Sequence, residues 1–385
     1  MHYDYLIVGA GISGTAAAYE LALHGTVLLV EAETAPGYHA TGRSAALFTP
    51  HQGTPLVQAI NRVSATFFAQ PPDGFVDQPL LSPRGNLTIA EPGQEDQLQA
   101  LLALSAPGRE VYEVSAAAAL AMAPLLRPER IGAAIHEPGV ADIDVDALHQ
   151  GYLRGFKQRG GVMVSGQRIT ALRRTGELWT AQTPEGSFQA RIIMNAAGAW
   201  ADHVAVLAGA DPIGLVPRRR TAIIVDGPSG IETRPMPAVD FTSTEAYFKP
   251  DGGRIMASLG DQDPVEAQDI RPDEWEIAVL ADWLQSETLL TIRRIEHSWA
   301  GLRSFVADES PVLGFDSTVP DFFWLAAQGG YGIMMAPALG RVAAAMVMNQ
   351  QLPDDVEQQG ITAGDICVSR LQSRSHLPET ENSIA

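Results

Sequence analysis

Six residues near the N-terminus constrain this chain more than any others: Gly9-Ala10-Gly11-Ile12-Ser13-Gly14, set between an apolar run and a helical stretch. Asp4 to Val8 reads as a short buried strand and Thr15 to His24 as a helix that Gly25 breaks. Thr26 to Val30 reads as a second strand, which ends in Glu31 and Ala32. Each glycine has its own duty at this spacing. Gly9 permits a sharp turn, Gly11 lets a diphosphate approach the backbone, and Gly14 lets the helix pack closely on the strand. The first helical residues, Ile12 and Ser13 among them, then offer free N–H groups and the positive end of the helix dipole to an anion. Glu31 falls where a carboxylate accepts hydrogen bonds from ribose hydroxyls, and its charge opposes a 2′-phosphate. Strand, glycines, helix, strand and acid in one unit read as a dinucleotide-binding βαβ.

The segment after Glu31 chooses between dinucleotides. An NAD domain normally continues into a crossover helix, whereas Gly37-Tyr38-His39-Ala40-Thr41-Gly42-Arg43-Ser44-Ala45-Ala46 is rich in small residues and not helical. Such a loop can pass under a flavin and aim N–H and hydroxyl groups at diphosphate and ring, so FAD is the expected cofactor. Two later segments repeat the strand and glycine-turn pattern. Ile192 to Asn195 runs into Ala196, Ala197, Gly198 and Trp200, preceded by a helix over Asp146 to Arg159 and a strand near Gln167 to Leu172 that carries Ile169. Phe322 to Ala327 runs into Gln328-Gly329-Gly330-Tyr331-Gly332, then Ile333 and a helix over Ala336 to Met348. That helix would aim its N-terminus at the anionic edge of the flavin ring.

These pieces imply an α/β fold: a discontinuous Rossmann-like FAD-binding domain from about 1–50, 140–213 and 300–350. A second α+β domain with a mixed sheet, from 51–139 and 214–299, would cover the flavin and bind substrate. Residues 351–385 read as a polar C-terminal tail with a mobile end. The formal net charge of −19 excludes nucleic acid as a partner, since no basic stripe offsets it. One cysteine, Cys367, excludes an internal disulfide and a cysteine metal site, and its distance from the flavin turns in sequence implies noncovalent FAD. No metal-ligand constellation is evident. The apolar runs fall short of the ~20 residues that span a bilayer, and no signal peptide is visible. The expected place is the cytoplasm, or the periphery of the membrane at its inner face.

With the fingerprint, the Thr41 to Ala46 loop, Asn195-Ala196-Ala197-Gly198 and Gly329-Gly330-Tyr331-Gly332 in view, the chain resembles the D-amino acid oxidase superfamily. That group includes glycine and sarcosine oxidases and the D-amino acid dehydrogenases. The resemblance runs over nearly the whole length and is strongest toward bacterial FAD-dependent D-arginine dehydrogenases. It is carried by Pro36-Gly37-Tyr38-His39, Ala141-Asp142-Ile143-Asp144, His149-Gln150-Gly151-Tyr152-Leu153-Arg154-Gly155 and Trp299-Ala300-Gly301-Leu302-Arg303-Ser304-Phe305. It implies that Arg220, Arg303 and Tyr247 hold a substrate carboxylate, and that the Gly330 carbonyl accepts from the substrate amine. Guanidinium groups suit the task, because their planar fork grips a carboxylate through two parallel hydrogen bonds. Residue by residue the strength of that reading differs. Arg220 lies in the run Arg218-Arg219-Arg220, and charge runs usually face solvent, whereas Arg303 sits in an apolar stretch where a charge demands a partner.

Where the chain departs from the pattern, the substrate end changes. The D-arginine enzymes carry a glutamate for the guanidinium at the position of Asn86, and a histidine and a tyrosine on the loop occupied here by Leu47 and Gln52. His51 could supply a replacement polar group. A neutral amide at 86 disfavours a strongly basic substrate. The resemblance therefore implies oxidative deamination of a D-amino acid with a neutral or apolar side chain to a 2-oxo acid and ammonia, with oxygen or a quinone as electron acceptor. The alternative on the same fold is oxidation of a secondary amine, a glycine derivative or a 2-hydroxy acid.

Overall fold

The structure is a computed structural model and describes residues 2–103, 105 and 110–374. Its first sheet has eight strands around a parallel core. Val162–Val164, Val27–Val30, His2–Val8, Gly186–Asn195 and Phe322–Ala326 lie side by side in that order, all parallel. Leu6, Ile7, Leu28 and Leu29 are fully buried, as expected where helices cover both faces of a parallel sheet. The helices Ile12–Leu21, Pro55–Ala69 and Gly332–Val347 pack one face, through Ala17, Leu21, Ile60, Val63, Leu339 and Ala343. The helix Ala201–Ala208 packs the other, with Val204 against Leu28 and Trp324 in one apolar cluster. Val8, Val30, Asn195 and Ala326 end at a common edge, where loops and helix N-termini meet, and such edges hold the ligand crevices of parallel α/β sheets.

The second eight-stranded sheet is mixed. Its order is His297–Phe305, Val216–Asp226, Arg254–Ser258, Tyr247–Asp251, Ala238–Phe241, Asn86–Ala90, Ala133–Glu137 and Tyr112–Val114. Alternation divides its two faces. Ile223, Val225, Phe248, Ile255, Ala257, Val239, Leu87 and Ile89 form one apolar cluster with Leu280 and Leu284 of the helix Glu274–Glu287. The opposite face carries Arg220, Arg303, Ser258, Tyr247, Asp240, Thr88 and Asn86, so polar groups line the side turned away from that helix. A small sheet of Leu47–Phe48, Ala141–Ile143 and Leu81–Pro83 joins the two larger ones.

Several boundaries differ from the sequence reading. The first helix begins at Ile12 rather than Thr15 because Gly11 is its N-cap, and the late helix begins at Gly332 rather than Ala336, directly after the glycine turn. The strand expected over Gln167 to Leu172 is displaced to Ala171–Thr175. Residues 55–69, expected with the second domain, form a helix whose Val57, Ile60 and Val63 are buried in the core of the first sheet. The His297–Phe305 strand, placed partly in the first domain, pairs along its whole length with Val216–Asp226 of the second sheet. The segment after Gln351 does not run as a tail through Arg374. It forms three short helices, and Leu352, Val356, Ile361 and Ile366 are buried, because apolar residues are spaced through its polar sequence. Its end, 375–385, expected to be mobile, lies outside the described residues.

Candidate active site

A continuous cavity runs from the carboxyl edge of the first sheet to the polar face of the second. Its near end is built by the glycine fingerprint. Gly9 has φ +101°, and a Cβ there would lie 2.5 Å from the Ala196 carbonyl oxygen. A Cβ on Gly14 would lie 1.9 Å from the Gly9 carbonyl oxygen, so helix and strand touch only because this position is bare. Gly11, Ile12 and Ser13 line the cavity where the helix starts, and the Thr41 hydroxyl accepts from the Ile12 N–H at 3.0 Å. Glu31 is buried; its carboxylate accepts from the N–H of Ala10 at 2.7 Å and of Glu33 at 2.9 Å. Each oxygen keeps a further lone-pair direction for a ribose hydroxyl. These features fit FAD: bare backbone at a helix N-terminus for the diphosphate and a fixed carboxylate for the ribose.

Ala32, Thr41, Arg43, Ser44, Ala45, Ile169, Ala197, Gly198, Trp200, Gly329, Gly330, Gly332 and Ile333, expected around the cofactor, also line the cavity. Gly42, Ala46 and Tyr331 are not among its lining residues. Gly42 instead closes the loop, its N–H donating to the Gly37 carbonyl at 2.8 Å. Ala46 and Ala327 hold left-handed φ of +59° each, Ala327 in the cavity wall. Such strain, of order 1–2 kcal/mol for a residue with a Cβ, is characteristic of functional loops. Arg43 turns its side chain to the second sheet: Nη1 donates to the carbonyls of Ile270 and Ala300 at 3.1 Å each, and Nη2 pairs with Asp269. The Trp299 indole N–H returns a bond to the Arg43 carbonyl at 3.0 Å.

Sequence reasoning gave no individual role to a second group of residues around the cavity. His39 lies 3.1 Å from the Glu33 carboxylate, and its ring sits 4.6 Å from that of Trp200, forming an aromatic and polar wall past the Glu31 end. His149 Nε2 donates to the Ala10 carbonyl at 2.9 Å, and burial pushes this histidine's pKa down, so it braces the fingerprint loop as a neutral ring. Ser258 was also missed, though its register with Tyr247 places it in the cavity wall.

At the far end the arginine run resolves. Arg218 pairs with Glu309, and Arg219, on the opposite face of its strand, pairs with Glu276 and Asp263. Arg220 lines the cavity with Arg303, and among the described residues neither has a carboxylate within 4.0 Å. The Arg220 Nε is buried without a partner. Burial, aided by the like charge of Arg303, lowers the Arg220 pKa to about 10. Tyr247 completes the group: burial raises its phenol above the usual value, against the pull of Arg303 and Arg220. Arg303 lies against bare backbone, for a Cβ on Gly330 would stand 2.9 Å from its Cζ. Gly330 is held there by Gly329, whose N–H donates to the Ser304 carbonyl at 3.0 Å. Two half-buried cations and a phenol around one space can receive a carboxylate.

The four substrate-side candidates stand outside the cavity lining. Leu47 pairs with Asp142 in the small sheet, Gln52 accepts from the Thr49 hydroxyl at 3.2 Å, and His51 approaches Glu137 at 4.0 Å. Asn86 donates its amide to Asp240 at 3.3 Å and to the Thr88 hydroxyl at 3.2 Å. The neutral end expected from Asn86 thus borders a carboxylate, because Asp240 arrives on a strand distant in sequence.

Residues 4–346 match the family described as DAO, FAD dependent oxidoreductase, and the chain belongs to that family. The family is one of FAD-dependent oxidoreductases. Human mitochondrial dimethylglycine dehydrogenase is 23% identical over 92% of this chain, and the chain covers 43% of that protein's length. An uncharacterised oxidoreductase of Bacillus subtilis, YurR, is 23% identical over 92% of this chain and 97% of its own. L-proline dehydrogenase from P. horikoshii superposes with a TM-score of 0.80 at 19% identity, covering 97% of this chain and 98% of its own. Iminodiacetate oxidase from Chelativorans sp. BNC1 superposes with a TM-score of 0.78 at 24% identity, covering 92% and 98%. At these identities the superpositions show a shared fold.

Proposed function

We propose that the protein oxidises a small amine bearing a carboxylate, with a D-amino acid converted to its 2-oxo acid and ammonia as the first reading. The observation that carries this is the pair of half-buried arginines, Arg220 and Arg303, facing the cavity with no carboxylate of the protein within 4.0 Å among the described residues. They would fix the substrate carboxylate through charge-assisted bonds, and the Tyr247 hydroxyl would donate a third. The Gly330 carbonyl would accept from the amine N–H and so set the rotation of the Cα–N bond. FAD, when bound, would supply the two-electron oxidant that takes the hydride from the substrate Cα. The protein's share is positioning in a space closed by two sheets, worth several orders of magnitude when the reacting atoms are aligned. The amine proton passes to solvent, and water then hydrolyses the imino acid. No side-chain base is needed for that sequence.

A second reading, oxidation of a secondary amine or glycine derivative, draws support from the likeness to iminodiacetate oxidase and dimethylglycine dehydrogenase. Such substrates present the same carboxylate to the same arginines. Anaerobic titration of the purified yellow protein with D- and L-amino acids, sarcosine, iminodiacetate and 2-hydroxy acids separates the readings. Bleaching of the oxidised flavin band by D-amino acids supports the first. Bleaching by secondary amines alone overturns it in favour of the second, and indifference to every carboxylate-bearing amine removes both. Re-oxidation by oxygen against a soluble quinone then identifies the acceptor.

A further inference from the structure

The polar face of the second sheet does not end at the arginines. Ser258 pairs with Tyr247, Tyr247 with Asp240, and Asp240 with Thr88, so these side chains follow one another across four adjacent strands on a single face. Glu137, opposite Asn86, extends the row by one more strand. The face therefore has a cationic end, Arg220 and Arg303, and an anionic end that begins with Asp240. Neighbouring strands lie ~4.8 Å apart, which puts the Arg220 and Asp240 strands ~14 Å apart with Tyr247 between them.

Asp240 is the anomaly in this row. Its Oδ2 accepts from Asn86 at 3.3 Å, whereas its Oδ1 is buried and has no partner. Burial raises its pKa, and Thr88 and Asn86 work against that by bonding to the charged form. Cations near this end are spoken for: Lys249 and Arg84 both pair with Asp142. A carboxylate oxygen left bare in a protein interior costs several kcal/mol unless a donor meets it. Nothing from the chain's described residues meets Oδ1, and its neighbour on the row is the tyrosine of the carboxylate receptor.

We infer that Asp240 is a specificity-determining residue that receives a cationic, hydrogen-bond-donating group at the end of the substrate side chain, with Asn86 and Thr88 orienting its carboxylate. This rests on the carboxylate-binding reading above and reverses what Asn86 alone suggested. An acid has not vanished from this end of the sheet face; it stands one strand away, on Ala238–Phe241 instead of Asn86–Ala90, beside the cavity-lining Tyr247. A substrate gripped at its carboxylate by Arg220 and Arg303 would pass Tyr247 and place a side-chain cation four to six atoms further on beside Oδ1. Its two poles would match the two ends of the face.

The test compares D-lysine with D-norleucine, which differ only by the terminal ammonium, in anaerobic flavin reduction by the holoenzyme. D-lysine is expected to be preferred in kcat/KM by about 30-fold, the lower end for truncating a buried charge pair. Asp240→Asn keeps the shape of the side chain but not its charge; it should lose that preference, the D-lysine kcat/KM falling to within about twofold of that for D-norleucine in the same variant. Asn86→Ala, which removes only the orienting donor, should lower the D-lysine preference partially, by about fivefold. Equal kcat/KM for the two substrates in the wild-type enzyme overturns the inference without any variant being needed, and leaves the carboxylate reading standing. An unchanged ratio in folded, yellow Asp240→Asn also overturns it. If neither amino acid reduces the flavin, the D-amino acid reading fails and takes the inference with it.

Discussion

A Cβ on Gly330 would stand 2.9 Å from both Cζ and Nη1 of Arg303, too close for either group to stay in place. Gly330→Ala is therefore expected to push the guanidinium off its position rather than to remove it. A displacement of ~1 Å in a positioning group costs about 100-fold in rate, so kcat/KM should fall by that order while flavin content and melting temperature stay near wild type. Stopped-flow flavin reduction measures the first and absorbance at the flavin band the second; retention of full activity would falsify the placement of Arg303 on the substrate. The same residues show what single positions in a sequence reveal. Arg218-Arg219-Arg220 looked like one solvated run, yet strand alternation sends Arg219 to Glu276 and Arg220 into the cavity. Asp240 gave no signal at all, because its significance comes from Asn86 and Tyr247, which reach it only through strand pairing.

At the level of elements, the βαβ unit was readable because its logic is local. Gly9, Gly11 and Gly14 act on neighbours within a few residues, and spacing alone conveys their roles. Gly14→Ala tests that logic. Its Cβ would lie 1.9 Å from the Gly9 carbonyl, so the Ile12–Leu21 helix must shift off the first strand and carry the diphosphate-binding N–H groups with it. The variant should purify with less than about a tenth of the wild-type flavin, as read from the ratio of flavin to protein absorbance. Full occupancy would show that the helix can move without cost to the site. Other elements were less legible. The helix Gly332–Val347 starts before the Ala336 expected, although Pro337 is a residue that suits the first turn of a helix. It lies inside the helix instead, where the Ser64 hydroxyl accepts from the Ala338 N–H at 3.2 Å from a helix distant in sequence. The helix Pro55–Ala69 was missed for a related reason: its buried stripe, Val57, Ile60 and Ser64, mixes apolar and polar residues that only the packed neighbour makes compatible.

Across the whole molecule, the division into two sheets was seen but its seams were not, because a seam is fixed by which strands pair and not by composition. The strand His297–Phe305 shows this: its sequence continues toward the glycine turn of the first sheet, while its hydrogen bonds belong to the second. Arg43 crosses the same seam. It rises from the loop after the nucleotide-binding unit, holds the carbonyls of Ile270 and Ala300, pairs with Asp269, and receives the Trp299 indole on its own carbonyl. The ion pair itself contributes little, since Asp269 is 56% exposed and water screens it. The two bonds from a charged donor to carbonyls matter more, at about 2 kcal/mol together for a mostly buried guanidinium. With an unfolding entropy of ~2 cal/mol/K per residue, that corresponds to a fall of roughly 2–3 °C in melting temperature. Arg43→Ala should show that fall and also release flavin more readily, because the loop it anchors gives Thr41, Ser44 and Ala45 to the cavity wall. Asp269→Asn, which keeps both carbonyl bonds, should change the melting temperature by less than about 1 °C. If the two variants melt together, the seam is held by the ion pair and not by the carbonyls. If Arg43→Ala melts and binds flavin as the wild type does, apolar packing alone fixes how the two sheets enclose the cofactor.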